Sequence, residues 1–389
     1  MQRIFVTNAQ PRFITIGIIG GGQLALMLAR AASQLGLKIR VLDPSPAPPA
    51  RPAVGEFRQG DWNNLQALRD FASGVDVITV ENEFVPAANL AELERIGYTV
   101  IPSSHTMNLV QDKLLQKQRL RAANIPVIEF RPVVSESSAS SAGASFGYPF
   151  VLKSRTLGYD GTGNRTVSNP DEIAAAVKEL GGFEAGLYAE KWCHFERELA
   201  VIIVRSINGE TKSYPVVESR QREHVCASVI APADVSEEID AAARDLALRA
   251  VGAVDGAGVF GVELFQMQDG SIFVNELAPR VHNSGHYTIE ACDCSQFENH
   301  IRAIRGLPLG STAQHHYAAM VNLLATVNGS GAPHGISDAL AVPHARVHLY
   351  GKLQATPGRK MGHVTALGNT RSEALETATK AASAINFKA

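Results

Sequence analysis

Two glutamates on neighbouring predicted strands form the most informative chemical pattern in the sequence. The largely apolar segments that contain Glu263 and Glu276 flank Asp269-Gly270, which is a strong signal for a two-residue hairpin turn. Counting back along both strands from that turn places Glu263 directly opposite Glu276. On this register the same face carries four apolar residues: Val259, Phe265, Ile272 and Val274.

Facing carboxylates among apolar neighbours need a compensating charge. Like charges directly opposite each other on a sheet repel, and burying an unpaired charge is costly. A divalent cation removes both objections, and Mg²⁺ takes one or two carboxylates together with substrate phosphates. We therefore predict that Glu263 and Glu276 hold Mg²⁺. The alternative, two solvated glutamates, fits poorly because both faces of these strands are apolar.

The segment that follows Glu276 adds groups that bind anions. It reads Leu277-Ala-Pro-Arg280-Val-His282-Asn283-Ser-Gly-His286. Arginine binds a carboxylate or bicarbonate through two parallel hydrogen bonds, and histidine and asparagine add oriented donors and acceptors. A lone arginine or histidine is more often structural, but four polar groups beside paired carboxylates favour an acceptor-anion pocket.

Two further motifs fit phosphate groups. A predicted strand ends in Lys153, and Gly158-Tyr-Asp-Gly-Thr-Gly163 follows, which suits a polyphosphate covered by backbone amides. On that motif alone, a ligand-free glycine-rich hairpin turn fits slightly better. Near the end of the chain, Lys352, Arg359 and Lys360 lie among glycines, where a phosphate monoester is a natural guest. A solvated basic turn explains this second motif nearly as well.

A glycine turn near the start of the chain supports a rival interpretation. Gly20 to Ala25 satisfies G-x-G-x-x-A after a predicted strand, and Asp43 closes the next strand about twenty residues later. This is the fingerprint of a nicotinamide dinucleotide site in its proper context. A Rossmann-like turn that binds no dinucleotide fits it as well, so the motif does not decide between a dehydrogenase and another enzyme.

The elements that position these motifs are of two kinds. A strand, a helix and a strand cover residues 14–42, a proline-rich loop covers 44–52, and strands are predicted at 75–80 and 98–101, so we expect a parallel open sheet up to about Pro102. The stretch from 150 to 279 alternates strands with two helical windows and indicates an α+β domain. We read residues 135–143 as a loop or weak helix, and the tail as short strands and one helix.

Composition limits the class of protein. With 389 residues, 45% of them apolar and 19% charged, the chain is long enough for two or three domains with substantial cores. A formal net charge of −2 argues against a general attraction to nucleic acid. Four irregularly spaced cysteines fit a reducing compartment, and the apolar segment 14–29 is split by glycines, so we expect a cytoplasmic protein with no membrane span.

Taken together, the motifs resemble those of the 5-(carboxyamino)imidazole ribonucleotide synthases, ATP-grasp enzymes of microbial purine synthesis. The segments that carry the resemblance span nearly the whole chain in the family's order: GIIGGGQLALML, KSRTLGYDGTGN, EKWCHFERELAV, GVELFQ, VNELAPRVHNSGHYTIEAC, HLYGK and PGRKMGH. The run NELAPRVHNSGH is highly specific to this family. GYDGTG is a good indicator of it, and the opening glycines are a weak one.

The resemblance implies three domains, combining α/β and α+β structure. They are a Rossmann-like pre-ATP-grasp domain (1–111), an ATP-grasp domain (112–306) with a mobile lid at roughly 126–192, and a small β-rich C-terminal domain (307–389). It also implies a homodimer. With no fused mutase domain recognised, the product is expected to pass to a separate mutase.

The resemblance also implies roles for individual residues. Those expected to bind ATP are Lys113, Lys153, Gly158, Tyr159, Asp160, Gly161, Thr162, Gly163, Glu190, Lys191, Trp192, Cys193, Glu198, Asn275 and Glu276. Glu190 to Cys193 would form the adenine hinge, and Glu198 would contact the ribose. Arg280, His282 and Asn283 would surround bicarbonate, and Mg²⁺ would lie between Glu263 and Glu276. Those expected to contact the aminoimidazole ribonucleotide are Gln23, Leu24, Tyr159, Asp160, Lys352, Arg359 and Lys360.

The implied reaction suits these residue types. Bicarbonate attacks the γ-phosphoryl group of ATP to give carboxyphosphate and ADP, and catalysis of this step is mainly positioning and charge neutralisation. The amine of the ribonucleotide then captures the carboxyl group, or CO₂ released from carboxyphosphate, as phosphate leaves. We hypothesise that Asp160 orients that amine or accepts its proton.

The sequence departs from the family pattern at several positions. Glu81-Asn82-Glu83-Phe84 replaces the usual E-F-E-N order, Gln221 replaces a histidine, and Ala278 stands where many ATP-grasp enzymes have an asparagine metal ligand. The alternatives kept open are a formate-dependent glycinamide ribonucleotide ligase, a nicotinamide dehydrogenase and a non-catalytic nucleotide-binding module.

Overall fold

The N-terminal part of the chain forms the predicted parallel sheet. The computed structural model describes residues 13–158 and 163–388. Its first elements are β1 (Thr15–Ile19), α1 (Gln23–Gln34), β2 (Lys38–Asp43), β3 (Glu56–Gln59), α2 (Leu65–Ala72), β4 (Val77–Val80), α3 (Ala87–Arg95) and α4 (Ser104–Gln111). The strands are parallel in the order β3-β2-β1-β4. The sequence interpretation missed β3, and the strand predicted at 98–101 contributes only a single bridge between Val100 and Ile78.

The next segment builds a separate antiparallel sheet where the lid was expected. Its elements are α5 (Lys113–Ala122), β5 (Phe130–Val133), α6 (Glu136–Phe146), β6 (Phe150–Ser154), β7 (Asn164–Val167), α7 (Ile173–Glu179) and β8 (Leu187–Lys191), with sheet order β5-β8-β6-β7. Of the two alternatives for 135–143, a loop or a weak helix, the structure has a helix. Ser135 and Ser138 form a reciprocal capping box, and Ala139 and Ala142 are fully buried, so capping and packing stabilise α6.

One large sheet runs through the rest of the molecule. The elements of the ATP-grasp region are β9 (Arg197–Arg205), β10 (Thr211–Ser213), β11 (Val217–Arg222), β12 (Val225–Ala231), α8 (Glu237–Ala253), β13 (Gly258–Gln266), β14 (Ile272–Ala278), α9 (Thr288–Ala291) and α10 (Gln296–Ile304). Those that follow are β15 (Tyr317–Leu324), β16 (Gly329–Ser330), β17 (Pro333–His334), α11 (Ile336–Leu340), β18 (Ala345–Leu349), β19 (Gln354–Ala355), β20 (Lys360–Gly368), α12 (Arg371–Ala384) and β21 (Asn386–Phe387). The strand order is β14-β13-β9-β11-β12-β15-β20-β18, with β10 added beside β9. Because β12 pairs with β15, the C-terminal strands extend the sheet that carries both predicted metal ligands.

The hydrophobic cores connect the three regions. One core packs α8 against β9, β13 and β14. Another packs α1 of the N-terminal region against Phe297, Ile301 and Ile304 of α10, and it also contains Tyr350 from the C-terminal region. In the described part of the chain, every helix is too short or too polar to cross a bilayer.

A buried histidine ties the N-terminal sheet to the central sheet. The backbone N–H of Val259 donates to Nδ1 of His300 at 3.1 Å, so the ring proton lies on Nε2, which is 2.9 Å from Oγ1 of Thr79. Thr79 lies on β4 and Val259 on β13, so His300 bridges two domains. Burial lowers the pKa of His300 to about 4, because a charged ring there would lose its hydration and its acceptor role.

This bridge makes the fold sensitive to acid. The pKa of His300 is about 4 in the folded chain and 6.5 as an ordinary histidine. The stability it contributes is complete above pH 6.5, declines as pH falls and is lost by about pH 4, at about 1.4 kcal/mol per pH unit. Lowering the pH from 7 to 5 should therefore cost about 2 kcal/mol of unfolding free energy through His300. His300→Gln, measured by denaturant unfolding at both pH values, should lose about 2 kcal/mol less than the unsubstituted chain. An identical pH dependence in the two proteins would contradict this assignment.

Candidate active site

The β13–β14 hairpin places Glu263 directly opposite Glu276, as predicted. The turn, however, is longer than expected. Met267 and Ser271 form the closing backbone pair, and Gly270 ends a three-residue loop with φ of 82°. A register shift then gives β14 one extra residue, Asn275, between the pairs Leu264–Val274 and Glu263–Glu276. The longer loop and the bulge shift the strand register in opposite directions by one residue. The predicted pairing is therefore correct although the predicted turn is not.

Because of the bulge, the residues predicted to share the face of the two glutamates do not all lie there. Ile272 and Val274 pack with Leu264 in the core under α8 and do not share the face of the glutamates. Without the extra residue, Glu276 would not lie opposite Glu263. A β-bulge commonly redirects a side chain next to an active site, and here it brings the second carboxylate to the cleft.

The two carboxylates have unequal electrostatic surroundings. Their side chains are 33% exposed for Glu263 and 40% exposed for Glu276, so both line an open cleft although dense protein lies behind them. Burial, and then the charges of Glu276 and Glu198, raise the pKa of Glu263 to about 8. Burial also opposes ionisation of Glu276, but Lys113, whose Nζ lies 3.2 Å from Oε2, holds the pKa of Glu276 below its usual value.

These surroundings fit Mg²⁺. A pair in which one carboxylate resists ionisation gains from a divalent cation, because the cation favours the charged form of both. Among the described residues, no group of three or more His, Cys, Asp or Glu side chains could hold a metal. The two glutamates would therefore share the ion with phosphate oxygens and water, which is the usual pattern for Mg²⁺.

Helix α5 aligns three polar side chains along β14. Asp112 caps the helix by accepting from the N–H groups of Leu114 and Leu115. Lys113 reaches Glu276, and the buried amide of Gln116 accepts from the N–H of Leu277 and donates to its carbonyl. One turn further on, Lys117 donates to the carbonyl of Asn275 at 3.2 Å. The spacing of three and four residues puts all three on one helix face.

Lys117 is a residue that sequence reasoning missed. It is almost fully buried, and its Nζ lies 2.5 Å from Oε2 of Glu190, while Nζ of Lys153 lies 2.8 Å from Oε1 of the same carboxylate. Burial opposes ionisation of Glu190, but the two lysines hold its pKa at about 2. Glu190 was assigned to the adenine hinge from the family resemblance; in the structure its carboxylate is the counter-ion of two lysines. The available signal for Lys117 was its position four residues after Lys113.

The remaining expected nucleotide residues lie around the lid and the connection to β9. Lys191 pairs with Glu129 at 3.0 Å, Trp192 is 37% exposed, and Sγ of Cys193 lies 3.7 Å from the sulfur of Met267. Burial raises the pKa of Glu198, which lies beside Glu263 and Asn275.

The described ends of the predicted covering loop line a cavity of about 680 Å³. Gly158 and Gly163 lie on one side of this cavity, and the tip of the β11–β12 hairpin, Glu223 and His224, lies on the other. The four intervening residues to which roles were assigned, Tyr159, Asp160, Gly161 and Thr162, lie outside the described residues.

Arg280 and His282 face the cleft beside the carboxylate pair. Nε of Arg280 is 3.0 Å from Oε1 of Glu83. Glu83 belongs to the Glu81-Asn82-Glu83-Phe84 segment that departs from the family pattern, and Arg280 is its partner. Nε2 of His282 is 3.5 Å from Oε1 of Glu263, and Ser284 contacts Nδ1 through its N–H and its hydroxyl. Burial, and then the charges of Arg280 and Lys360, keep the pKa of His282 well below its usual value, so its ring is neutral.

Asn283 has a different setting from the one expected. Its Nδ2 donates to Oδ1 of Asn322 at 3.0 Å, and Nδ2 of Asn322 donates to Oδ1 of Asn283 at 2.7 Å. This reciprocal amide pair docks the segment after β14 onto β15. The assignment of Asn283 to bicarbonate therefore rests on the resemblance, whereas Arg280 and His282 are supported by their position.

The three basic residues of the C-terminal region that were predicted to contact the ribonucleotide have different surroundings. The charge of Lys360 helps to lower the pKa of His282 and of His286, so its ammonium lies near these two histidines. Nζ of Lys352 lies 5.7 Å from the ring centroid of Tyr350. The exposed Arg359 donates to the carbonyl of Gln354 at 2.9 Å and is engaged in its own turn.

The glycine turn at the start of α1 is occupied by carboxylates of the chain itself. The N–H of Gly21 donates to Oδ2 of Asp43 at 2.7 Å, and the N–H of Leu24 donates to Oε1 of the buried Glu81 at 3.3 Å. A Cβ on Gly22 would lie 2.1 Å from the same Glu81 oxygen, so glycine is required for this carboxylate and not for a pyrophosphate. The dinucleotide interpretation is therefore wrong, because the anion site of the helix is already filled.

The same contacts bear on two expected substrate residues. Leu24 has a buried side chain in the core and an N–H bonded to Glu81, so only its backbone lies at the turn, and its role in substrate binding stays a prediction. Gln23, the first residue of α1, is half-buried beside this turn and keeps its assigned role as a proposal.

Family models match the chain in three successive segments. They describe a ribonucleotide synthetase preATP-grasp domain over residues 13–111, an ATP-grasp domain over 118–297 and a phosphoribosylaminoimidazole carboxylase C-terminal domain over 318–377. The fold and the cleft are therefore those of an ATP-grasp ligase.

The relatives and solved structures narrow the class to one family. The chain is 41% identical to the N5-carboxyaminoimidazole ribonucleotide synthase of Synechococcus elongatus, an alignment that covers 90% of this chain and 88% of the relative. It is 43% identical to the phosphoribosylaminoimidazole carboxylase of Ogataea methanolica, covering 92% of this chain and 67% of that one, so the chain spans about two thirds of the length of such carboxylases.

Solved structures agree in overall fold. N5-carboxyaminoimidazole ribonucleotide synthetase from Thermotoga maritima superposes with a TM-score of 0.87 at 40% identity, covering 96% of this chain and 99% of that one. The Aspergillus clavatus synthase in complex with ADP and 5-aminoimidazole ribonucleotide gives 0.88 at 39% identity, covering 96% and 98%. This chain belongs to the N5-carboxyaminoimidazole ribonucleotide synthase family, as the motifs predicted.

The facing carboxylates generate a test of the metal site. Glu263→Gln replaces a carboxyl group whose ionisation the ligand-free cleft already opposes, so the ligand-free protein should melt at the same temperature or higher. The same change should abolish most of the rise in melting temperature produced by Mg-ADP, because the ion loses a ligand. Glu237→Gln, on the exposed start of α8, is the matched control and should respond to Mg-ADP normally. A Glu263→Gln protein that Mg-ADP stabilises as strongly as the control would refute the assignment.

Proposed function

We propose that this chain carboxylates the amine of 5-aminoimidazole ribonucleotide, using ATP and bicarbonate and releasing ADP and phosphate. The product is 5-(carboxyamino)imidazole ribonucleotide, and the step belongs to purine synthesis. The observation that carries the proposal is the convergence of three regions on one cleft. Glu83 comes from the N-terminal region, Glu263 and Arg280 come from the ATP-grasp region, and Lys360 comes from the C-terminal region.

In the first step a bicarbonate oxygen attacks the γ-phosphorus of ATP. The new P–O bond forms as the bond to the ADP oxygen breaks, which leaves carboxyphosphate and ADP. Lys113 and Lys153 neutralise phosphate charge, and Arg280 holds the bicarbonate with His282 as a neutral hydrogen-bonding partner. When bound at Glu263 and Glu276, Mg²⁺ supplies further charge neutralisation on the phosphate oxygens.

Glu83 has a defined part in this arrangement. Its ion pair with Nε of Arg280, together with the hydrogen bond from Nη1 to the carbonyl of Val281, fixes the guanidinium at the edge of the cleft. We assign the remaining N–H groups of Arg280 to the bicarbonate. Because Glu83 follows β4, the N-terminal region thereby sets the position of a group that acts on bicarbonate.

In the second step the amine nitrogen attacks the carboxyl carbon. The C–N bond forms, the C–O bond to phosphate breaks, and the amine loses a proton, for which Asp160 is our proposed acceptor or orienting group. Lys360 and Lys352 bind the phosphate of the ribonucleotide, with Arg359 in a peripheral role. Homodimer formation and transfer of the product to a separate mutase are proposed from the family resemblance alone.

The discriminating experiment measures ADP release by the Mg-ATP-loaded enzyme with 5-aminoimidazole ribonucleotide, with and without added bicarbonate. We expect bicarbonate-dependent ADP formation matched by one carboxylated product per ADP. Release of ADP only with glycinamide ribonucleotide and formate would replace the substrate assignment while leaving the ATP-grasp assignment intact. No turnover with either pair would contradict the proposal that the chain is a ligase for such amines.

A further inference from the structure

Tyr350 lies at the junction of the three regions. It is 1% exposed, and its ring packs in the core formed by α1 and α10. Burial raises the pKa of its hydroxyl, so Tyr350 stays protonated. The hydroxyl forms a hydrogen bond of 2.9 Å with Nδ1 of His363. Two residues after Tyr350 in the chain comes Lys352.

His363 is itself held rigidly. It is fully buried on β20, and its ring stacks on that of His348 with centroids 4.4 Å apart and planes 8° from parallel. Nε2 of His348 lies 2.6 Å from Oε1 of Glu290 on α9, which fixes the outer ring. Burial, and then the neighbouring His286 and His348, keep the pKa of His363 well below its usual value, so its ring remains neutral beside the hydroxyl of Tyr350.

The ring of Tyr350 then locates the ammonium of Lys352. Nζ of Lys352 lies 5.7 Å from the ring centroid, which is within the range of a cation–π contact. A lysine ammonium on a flexible stem is positioned mainly by what it rests on, so a fixed aromatic face restricts where the charge lies. None of these residues except Lys352 was assigned a role from the sequence.

We propose that Tyr350 is a positioning residue that presents Lys352 to the phosphate of the acceptor ribonucleotide, with His363 as its anchor. The inference rests on the proposed function, in which Lys352 binds that phosphate. It adds a fixed support for the lysine that reaches from α9 of the ATP-grasp region through His348 and His363 to Tyr350. Binding of the ribonucleotide phosphate therefore depends on a hydroxyl that touches no substrate.

A double-mutant cycle separates this role from a general effect on folding. Tyr350→Phe keeps the ring but removes the bond to His363, so the Kd for 5-aminoimidazole ribonucleotide, measured calorimetrically with Mg-ADP present, should rise about fivefold. In a Lys352→Ala background the same change should have no further effect, because Tyr350 acts through Lys352. The Kd for ADP alone, and kcat with saturating acceptor, should change less than about twofold.

Tyr214→Phe is the matched control. Tyr214 is a fully buried tyrosine in the same core, and its hydroxyl donates to the carbonyl of Cys294 at 2.8 Å. This control should leave the Kd for the ribonucleotide unchanged. An equal loss of affinity in the Tyr214→Phe protein, or the same fivefold loss from Tyr350→Phe with and without Lys352, would overturn the proposal.

The outcome is distinguishable from failure of the proposed function. If the unsubstituted chain binds the ribonucleotide with the expected pattern of Kd values but does not carboxylate it, the positioning role stands and the reaction is wrong. If it carboxylates the ribonucleotide and Tyr350→Phe has no effect on Kd, the reaction stands and the positioning role is wrong. Absence of ribonucleotide binding would overturn both.

Discussion

The opposition of Glu263 and Glu276 across one hairpin is the constraint on which the rest of the cleft depends. Like charges on facing strands destabilise a sheet unless their surroundings compensate. Here Lys113 from α5 contacts Glu276, while the neutral His282 lies next to Glu263. The compensation is incomplete, since the pKa of Glu263 stays raised to about 8. The ligand-free cleft therefore opposes ionisation of both carboxyl groups at once, and a bound cation would favour the charged form of both, a common arrangement at sites where stability is exchanged for function.

Two of the joints between the regions consist of neutral groups, unlike the charged groups that face the cleft. His300 links β4 to β13, and the amides of Asn283 and Asn322 join the segment after β14 to β15, all through hydrogen bonds between neutral buried groups. Such contacts are directional and avoid the cost of burying charge. Charged groups are instead concentrated where phosphate and carboxylate substrates would lie. These neutral joints act beside charged ones, namely the Glu83–Arg280 ion pair and the contact of His348 with Glu290.

Much of this organisation follows from local sequence patterns, and the rest depends on tertiary contacts. The βαβ order was readable from periodicity, but the Glu263–Glu276 pairing was predicted correctly only because the error in the turn and the bulge at Asn275 cancel. The bulge left no local mark, so the faces of Ile272 and Val274 were misassigned. The glycine turn at Gly20–Gly22 matched a dinucleotide fingerprint because the same freedom from a side chain serves a pyrophosphate or an internal carboxylate. Only the fold shows that Glu81, sixty residues later, fills the turn. Lys117 and Asn322 have partners that are distant in sequence, so no motif revealed them. The one local signal was the spacing of four residues between Lys113 and Lys117.

The central claim is that the cleft activates bicarbonate by phosphorylation before the amine attacks. The most direct measurement follows the oxygen atoms of ¹⁸O-labelled bicarbonate during turnover with Mg-ATP and 5-aminoimidazole ribonucleotide. If bicarbonate oxygen forms the new P–O bond and the later cleavage breaks the C–O bond, one labelled oxygen should appear in the inorganic phosphate for each ribonucleotide carboxylated. Phosphate whose new oxygen derives only from water would show that ATP is hydrolysed separately, and would contradict the account.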